Sequence, residues 1–229
     1  MVGVQMNSLV SDCADLNFSR MGESAILCQV SSPLSESTQR RIWQLTRLAS
    51  EWPFVQEAIS GMNNLMVIYD AARIRHEHLE LQLKELWPEV ANATFDGKDF
   101  EIPVVYGGEF GPDLPQVALR CGLKIQEVIE RHSRAHYTVF AIGADPGFAY
   151  LAGLDPGLYL PRLDTPRLQI PAGSIIIAGQ QAGIQPISAP CGWHVIGRTD
   201  AKVFDIARER PALLRAGDHV VFSIKDIAR

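Results

Sequence analysis

Two proline–arginine pairs, five positions apart, carry the side chains of this sequence that are best suited to binding an anion. Pro161-Arg162 and Pro166-Arg167 place two guanidinium groups on similar local backbone frames. Two such groups can hold a carboxylate or a phosphate through paired hydrogen bonds. The alternative is that the arginines form ordinary ion pairs with Asp155 and Asp164. The residues alone leave both interpretations open.

His132 is the histidine whose position suits a role as a general acid or base. It closes an apolar helical face that contains Val128 and Ile129, and imidazole titrates near neutral pH. A histidine that caps the last carbonyl groups of its helix is the more common arrangement, and it is favoured here. His76 and His78 lie two positions apart, whereas metal-binding histidines on a helix lie four apart, so no metal site is predicted.

A glycine-rich loop over residues 106–113 follows a predicted strand and leads into a predicted helix. Its glycines would let an anion approach the N–H groups at the start of the helix. Asp113 already places a carboxylate there, so a tight turn with Asp113 as the helix cap is favoured. Ser174 lacks the Gly-x-Ser-x-Gly frame of a nucleophile elbow, and Cys191 has no evident basic neighbour to activate its thiol. The chain therefore contains no complete catalytic constellation.

The elements that must position these residues form two segments, predicted as domains over residues 1–95 and 96–229. In the first, the order is strand–strand–helix–strand–strand–helix, with helices that open at Ser32-Pro33 and run over Arg73–Trp87, where Pro88 ends the second. This order is typical of a small α+β layer, a sheet with helices on one face. In the second, many short apolar runs are separated by glycine and proline, which predicts a mostly β barrel or sandwich.

Composition excludes several classes of protein. The chain has 229 residues, of which 47% are apolar and 21% charged, with a formal net charge of −5. These values argue against a disordered chain and against a nucleic-acid binder. We find no membrane span and no signal peptide. Cys13, Cys28, Cys121 and Cys191 are scattered, which is typical of reduced thiols, so we expect a soluble, cytoplasmic protein.

Longer strings resemble the family of the 5-oxoprolinase B subunit, which also contains the sporulation-kinase inhibitor KipI and is known as allophanate hydrolase subunit 1. The resemblance is thin in the first segment, at Phe18, Gly22-Glu23 and VIYD (67–70), and specific in the second. The strings of the second segment are IPVVYGGEFGPDL (102–114), HS (132–133), YTV (137–139), PGFAYL (146–151), PRL (161–163), PR (166–167), PAGS (171–174), IAG (177–179) and GWHVIGRT (192–199).

The resemblance implies a small α+β domain followed by a cyclophilin-like β-barrel. It also implies one component of an ATP-dependent enzyme that opens the lactam of 5-oxoproline to L-glutamate, together with a paralogous C subunit and a separate A subunit. Such a chain would be a hydrolase of a cyclic amide only within the complex, and the ATP site is not located in this chain. The alternatives are an inhibitor that binds a histidine kinase, or a subunit that processes another amide or a urea-like compound.

The catalytic residues of such a chain are unknown. The candidates, from the chemistry of the residues themselves, are His132, Arg162 and Arg167, and an exposed apolar groove is expected around Phe148, Tyr150 and Trp193. The full set of groove residues, for substrate or partner, is Pro146, Gly147, Phe148, Tyr150, Ser174, Gln180, Trp193, Arg198 and Thr199.

The chain departs from the family pattern at the same groove. Ala144 and Gln185 replace aromatic residues, and Cys191 replaces a glycine. These changes make a pocket more polar, so they bear on which amide is the substrate.

Overall fold

The structure, a computed structural model, describes residues 16–228 and divides into two compact units between Ala93 and Thr94. The first unit contains four strands and two helices, in the predicted order. They are β1 (Leu16–Arg20), β2 (Ala25–Val30), α1 (Glu36–Ser50), β3 (Val55–Gly61), β4 (Asn64–Tyr69) and α2 (His76–Glu89).

Both helices of the first unit begin a few residues later than predicted. Ser35, and not Ser32, caps α1, because the Ser35 hydroxyl accepts a hydrogen bond of 3.2 Å from the Thr38 N–H. Before α2, the Asp70 carbonyl accepts from the N–H groups of Arg73 and Ile74, and this turn delays the helix to His76. The prediction that Pro88 ends α2 is wrong. Pro88 lies within the last turn of the helix, which ends at Glu89.

The core of the first unit lies on one face of an antiparallel sheet with strand order β1-β2-β4-β3. Side chains alternate between the two faces of a strand, and the buried set on β2 and β4 includes Ile26, Cys28, Leu65 and Val67. Residues of α1 and α2 pack in the same apolar cluster. The predicted sheet with helices on one face is therefore confirmed.

The second unit is a closed barrel of seven strands with additional elements around it. Its strands are β5 (Asp99–Gly107), β6 (Tyr137–Ile142), β7 (Ala149–Ala152), β8 (Arg167–Ile170), β9 (Ser174–Ala178), β10 (Gln181–Ile184), β11 (Ala189–Cys191), β12 (His194–Arg198) and β13 (His219–Ala228), and its helices are α3 (Leu114–Cys121) and α4 (Ile125–Arg134). The barrel order is β10-β7-β6-β13-β5-β12-β9, and β8 pairs with β11 as a separate two-stranded sheet. The predicted α+β unit followed by a mostly β barrel is confirmed.

Strand β9 is buried on both faces, which explains its uninterrupted apolar sequence. Ile175 and Ile177 belong to the large cluster of the barrel core. Ile176 and Ala178 point the other way and join a smaller cluster with Ile170 of β8. The two-stranded sheet therefore contributes a side chain that covers part of the outer wall of the barrel.

The first and last strands of the barrel, β5 and β13, pair in parallel, although all other strand pairs in the described residues are antiparallel. A buried carboxylate supports this junction. The side chain of Asp218 accepts from the N–H groups of Lys98, at 2.9 Å, and of Arg215, at 2.8 Å. The Lys98 carbonyl in turn accepts from the His219 N–H at 2.8 Å. These bonds join the two ends of the second unit.

The cysteines of the described chain, Cys28, Cys121 and Cys191, are free thiols, and Cys13 lies outside the described residues. Within residues 16–228, none of the helices has the length and apolar character that crossing a bilayer requires.

Candidate functional site

His132 lies in the core of the second unit and not at a surface. Its side chain is fully buried, Nδ1 shares a hydrogen bond of 2.8 Å with the Tyr106 hydroxyl, and its ring stacks on Phe222 at 4.6 Å. Burial lowers the pKa of His132 to about 3. The ring therefore stays neutral and makes no contact that would cap α4, so both the predicted pocket role and the favoured capping role are replaced by a core role.

Arg167 is engaged by Asp113 and is not a free anion-binding group. Its two terminal nitrogens lie 2.7 and 2.5 Å from the two carboxylate oxygens of Asp113. Asp113 also accepts from the Val195 N–H at 2.7 Å. The carboxylate makes no hydrogen bond that caps α3. Asp113 is therefore the N-cap residue of α3, as predicted, but its side chain does not cap the helix. The predicted pairing of Arg167 with Asp155 or Asp164 is wrong, since Arg167 pairs with Asp113 and Asp155 pairs with Arg131.

Arg162 has a different environment from Arg167. Its guanidinium lies 5.9 Å from the centre of the Trp193 ring, and the side chain forms no ion pair with any described residue. The backbone on either side is fixed, because the Pro161 carbonyl accepts from Nε2 of His194 at 2.9 Å and the Leu163 N–H donates to Gly192 at 2.8 Å. This rigid segment presents one cation beside an aromatic ring.

The three aromatic residues of the predicted groove do meet, but mainly below the surface. The rings of Phe148 and Trp193 lie 5.8 Å apart, edge to face, and those of Phe148 and Tyr150 lie 4.8 Å apart. Phe148 is 5% and Trp193 6% exposed. The expectation of an exposed aromatic groove is therefore wrong, because β8 and β11 supply Ile170 and Cys191 to the same cluster. Tyr150 is half-buried.

Cys191 is less isolated from charge than its sequence neighbours indicate. Burial raises the pKa of its thiol, and the Trp193 N–H together with Arg162 and Arg167 opposes that rise. The net direction is upward, so the thiol stays protonated and packs as a small apolar residue. Two basic neighbours are present after all, brought there by β8 and the preceding loop.

A cavity of about 540 Å³ opens beside the end of β12. Arg198 and Thr199 lie on its wall, together with Gln185 from the segment that follows β10. The Arg198 guanidinium also lies 4.8 Å from the centre of the Phe110 ring, on the glycine-rich loop. The cavity thus gathers one predicted cation with polar residues from separate parts of the barrel.

Gly173 brings the turn before β9 against the cavity wall. Its φ of +82° is in the left-handed region, and a Cβ there would lie 2.2 Å from the Thr199 carbonyl oxygen. Only glycine avoids both problems. Ser174 follows, but its hydroxyl donates to the Pro171 carbonyl at 2.8 Å and its side chain is buried. Ser174 therefore shapes the turn and does not face the cavity as a nucleophile.

The remaining residues of the predicted groove lie in different parts of the second unit. Pro146 and Gly147 form a tight turn, and a Cβ on Gly147 would lie 2.9 Å from Cβ of Phe204, a cavity residue. The Thr199 hydroxyl accepts from the Ala201 N–H at 3.1 Å. Gln180 is exposed in the turn between β9 and β10, at the opposite end of β9 from Gly173. The predicted groove is therefore two places: a buried aromatic cluster and a cavity.

Sequence reasoning missed the partners that lie far away along the chain. Asp113 and Arg167 are separated by 54 residues, and Gln185 and Asp145 by 40. A strand, loop or turn pattern contains no information about such pairs. The acidic residue at the end of the glycine-rich loop was the available signal for Arg167. Among the described residues, no three His, Cys, Asp or Glu side chains gather in a way that would hold a metal ion.

Comparisons with known proteins agree in assigning the chain to one group. The sequence model of the family described as carboxyltransferase domain, subdomain C and D, matches residues 16–214. A protein from Escherichia coli O157:H7 that is named as the B subunit of 5-oxoprolinase is 43% identical over 203 residues, which cover 88% of this chain and 93% of that protein.

Two solved structures share the fold. TTHA0988 is 35% identical, with a TM-score of 0.74 over 90% of this chain, and the matched part spans 40% of the TTHA0988 chain. The K. lactis urea amidolyase has a TM-score of 0.79 at 18% identity, over 94% of this chain and 15% of that chain, which shows a common fold alone.

Proposed function

Since the chain belongs to the carboxyltransferase-domain family that includes the 5-oxoprolinase B subunit, we propose that it is the B subunit of an ATP-dependent 5-oxoprolinase. It acts with an A subunit and a paralogous C subunit to open 5-oxoproline to L-glutamate. The observation that carries the proposal is the 43% identity to a protein of that name over 93% of its length. An identity of this extent supports a shared activity more strongly than a shared fold does.

The chemistry explains why such a chain would need partners. Amide resonance makes a lactam carbonyl a poor electrophile, so water opens it slowly. Coupling to ATP, through phosphorylation of the carbonyl oxygen, supplies the driving force, and cationic or N–H donors stabilise the charge that develops. The described chain offers Arg198 beside a cavity and Arg162 beside an aromatic ring, but no nucleophile–base pair. We assign the reacting groups to the assembled complex.

The glycine-rich loop of this chain does not fit ATP. The glycine-rich loop leads to the start of α3, where Asp113 is held by Arg167 and Val195. The Arg167 guanidinium is committed to Asp113, so neither group of this pair is available to a phosphate. We therefore propose that ATP binds elsewhere in the complex and derive no step through it here.

The test is phosphate release from ATP, with and without 5-oxoproline, by this chain mixed with the A and C subunits. We expect release that needs 5-oxoproline and all three components. The variant Arg198→Met should lower that release at least tenfold, while Arg120→Met, at an exposed arginine of α3, should leave it unchanged. A complex that forms but ignores 5-oxoproline would point to another amide or a urea-like substrate.

Failure to form any complex would favour the alternative of a regulator that binds a histidine kinase. That outcome would be checked by adding the chain to kinase autophosphorylation assays. No described contact favours this second function, and it is retained as an outcome of the test alone.

A further inference from the structure

The cavity beside β12 contains a buried amide whose orientation is fixed. Gln185 is 2% exposed, and its Nε2 donates to Oδ2 of Asp145 at 2.8 Å. A carboxylate can only accept hydrogen bonds, so this contact identifies the nitrogen end of the amide. The hydrogen bond that the side chain of Gln185 makes among the described residues uses Nε2, and the carbonyl end, Oε1, takes no part in it. An oriented acceptor is therefore left for a ligand N–H.

The same cavity carries two cations, Arg198 and Lys202, that form no ion pair within 4.0 Å among the described residues. Arg198 does lie near enough to Asp200 to contribute, after Lys225, to the lowered pKa of that carboxyl. The two carboxylates at the cavity are engaged elsewhere. Asp200 accepts from Lys225 at 2.8 Å, and Asp205 lies 3.9 Å from Nε of Arg208. The unpaired charge of the cavity is therefore positive, which favours an anionic ligand.

The rest of the wall is apolar. Val203 is 2% exposed, and Phe204 and Pro186 also line the cavity. The cavity therefore combines an oriented acceptor, a positive charge and an apolar wall. A ligand that fits all three has an N–H donor, an anionic group and a small hydrocarbon ring. The volume of about 540 Å³ is ample for one small ring compound and falls in the usual range for such sites.

From these observations we infer that this cavity is the lactam-binding site of the chain: Oε1 of Gln185 accepts the ring N–H, and Arg198 binds the carboxylate of a five-membered lactam acid. The inference rests on the proposed function for the identity of the ligand, 5-oxoproline. The position of the site follows from the cavity that Gln185 and Arg198 line, and the role of Gln185 follows from its hydrogen bond to Asp145. Asp145 is then a positioning residue that acts through Gln185.

The experiment measures direct binding to the full chain by titration calorimetry with two ligands. One is 5-oxoproline, and the other is its lactone analogue, in which a ring oxygen replaces the N–H. The wild-type chain should prefer the lactam by at least about fivefold, the value of one neutral hydrogen bond. The comparison uses the unaltered protein, so it does not depend on the folding of any variant.

Variants of the chain then test which side chain makes each contact with the ligand. Gln185→Met keeps the length of the side chain and should reduce the preference for lactam over lactone to near unity. Gln116→Met, at an exposed glutamine of α3, should keep the preference. Arg198→Met should weaken binding of both ligands, by about tenfold or more, because both carry the carboxylate.

Three outcomes would overturn the inference: no binding of 5-oxoproline by the chain, equal binding of lactam and lactone by the wild type, or an undiminished preference in Gln185→Met. The proposed function is tested separately from the binding site, and either can fail without the other. A complex that hydrolyses ATP in response to 5-oxoproline, with a chain that fails these binding tests, retains the function and loses the site. A chain that passes them, in a complex without that activity, retains the site.

Discussion

The ion pair between Arg167 and Asp113 leads to a quantitative prediction because its partners differ in exposure. The side chain of Asp113 is 9% exposed and that of Arg167 is 35% exposed. In Arg167→Met the carboxylate stays buried and keeps one donor, the Val195 N–H. In Asp113→Asn the guanidinium can turn toward water, and the amide oxygen can still accept from Val195. The arginine substitution should therefore cost more.

The magnitude follows from the two environments. Removing one partner from a fully buried pair costs about 3–5 kcal/mol, and partial exposure of Arg167 reduces this. We expect Arg167→Met to lower the free energy of unfolding of the second unit by about 2 kcal/mol and Asp113→Asn by about 1 kcal/mol. In the double variant the two losses should not add, with a coupling of about 1 kcal/mol.

The assay must report on the second unit. Tryptophan fluorescence mainly follows the first, where three of the four tryptophans lie, at positions 43, 52 and 87. Urea unfolding should therefore be followed by hydrogen exchange of the Val195 amide, which lies in the second unit and is bonded to Asp113. Losses that add fully in the double variant, or an Arg167→Met protein as stable as the wild type, would refute the reasoning.

Three further predictions concern other contacts. Burial lowers the pKa of His132 to about 3, whereas a histidine in the unfolded chain titrates near 6.5, so the unfolded state binds a proton that the folded state does not. The free energy of unfolding should therefore fall as the pH drops below about 6.5, by up to about 1.4 kcal/mol per pH unit. Urea unfolding between pH 7 and 4 should show this slope, and His132→Gln should lack it. Asp218→Ala removes the acceptors for two N–H groups and should destabilise the barrel by about 2–3 kcal/mol in the same measurement. Asp218→Asn keeps one acceptor oxygen and should cost less; equal losses in the two variants would contradict the role of the hydrogen bonds. Arg162→Met should lower 5-oxoproline-dependent phosphate release by the assembled complex. Its melting temperature should stay within about 1–2 °C of the wild type, since an exposed side chain without ion pairs adds little stability. Unchanged phosphate release would show that Arg162 is not part of the site.

The elements predicted best are those whose pattern is local. The apolar run over residues 137–142 is one of the short runs on which the barrel prediction depends, and it forms β6 with those bounds. The order of elements in the first unit also agrees throughout. Strands β7, β8, β10 and β11 were missed, because they are segments of only three or four residues, two of which contain Gly183 or Pro190, and show no clear alternation. Their existence depends on the neighbouring barrel wall, which a short window of sequence does not contain.

The sequence predicted which residues belong to the site better than it predicted where they lie relative to one another. Arg198 and Thr199 do line a cavity, and Phe148, Tyr150 and Trp193 do form one cluster. Whether an aromatic residue is exposed depends on what packs above it, and that cover comes from β8. The same limit applies to Arg167, whose role is decided by a carboxylate on a distant loop.

The parallel pairing of β5 with β13 has a consequence for how the protein is made. The bonds between Lys98 and Asp218 join residues that lie 120 positions apart, so a ribosome that adds about 5–20 residues per second needs roughly 6–24 s between the two. For most of that interval β5 has been synthesised but lacks both of its neighbours, because β12 begins only at His194 and β13 at His219, and its open edges are available to other strands. The described part of the first unit contains no such distant strand pairing and can fold meanwhile. A nascent chain should therefore carry a folded first unit and an unclosed second one, and this is the stage at which a chaperone would be needed.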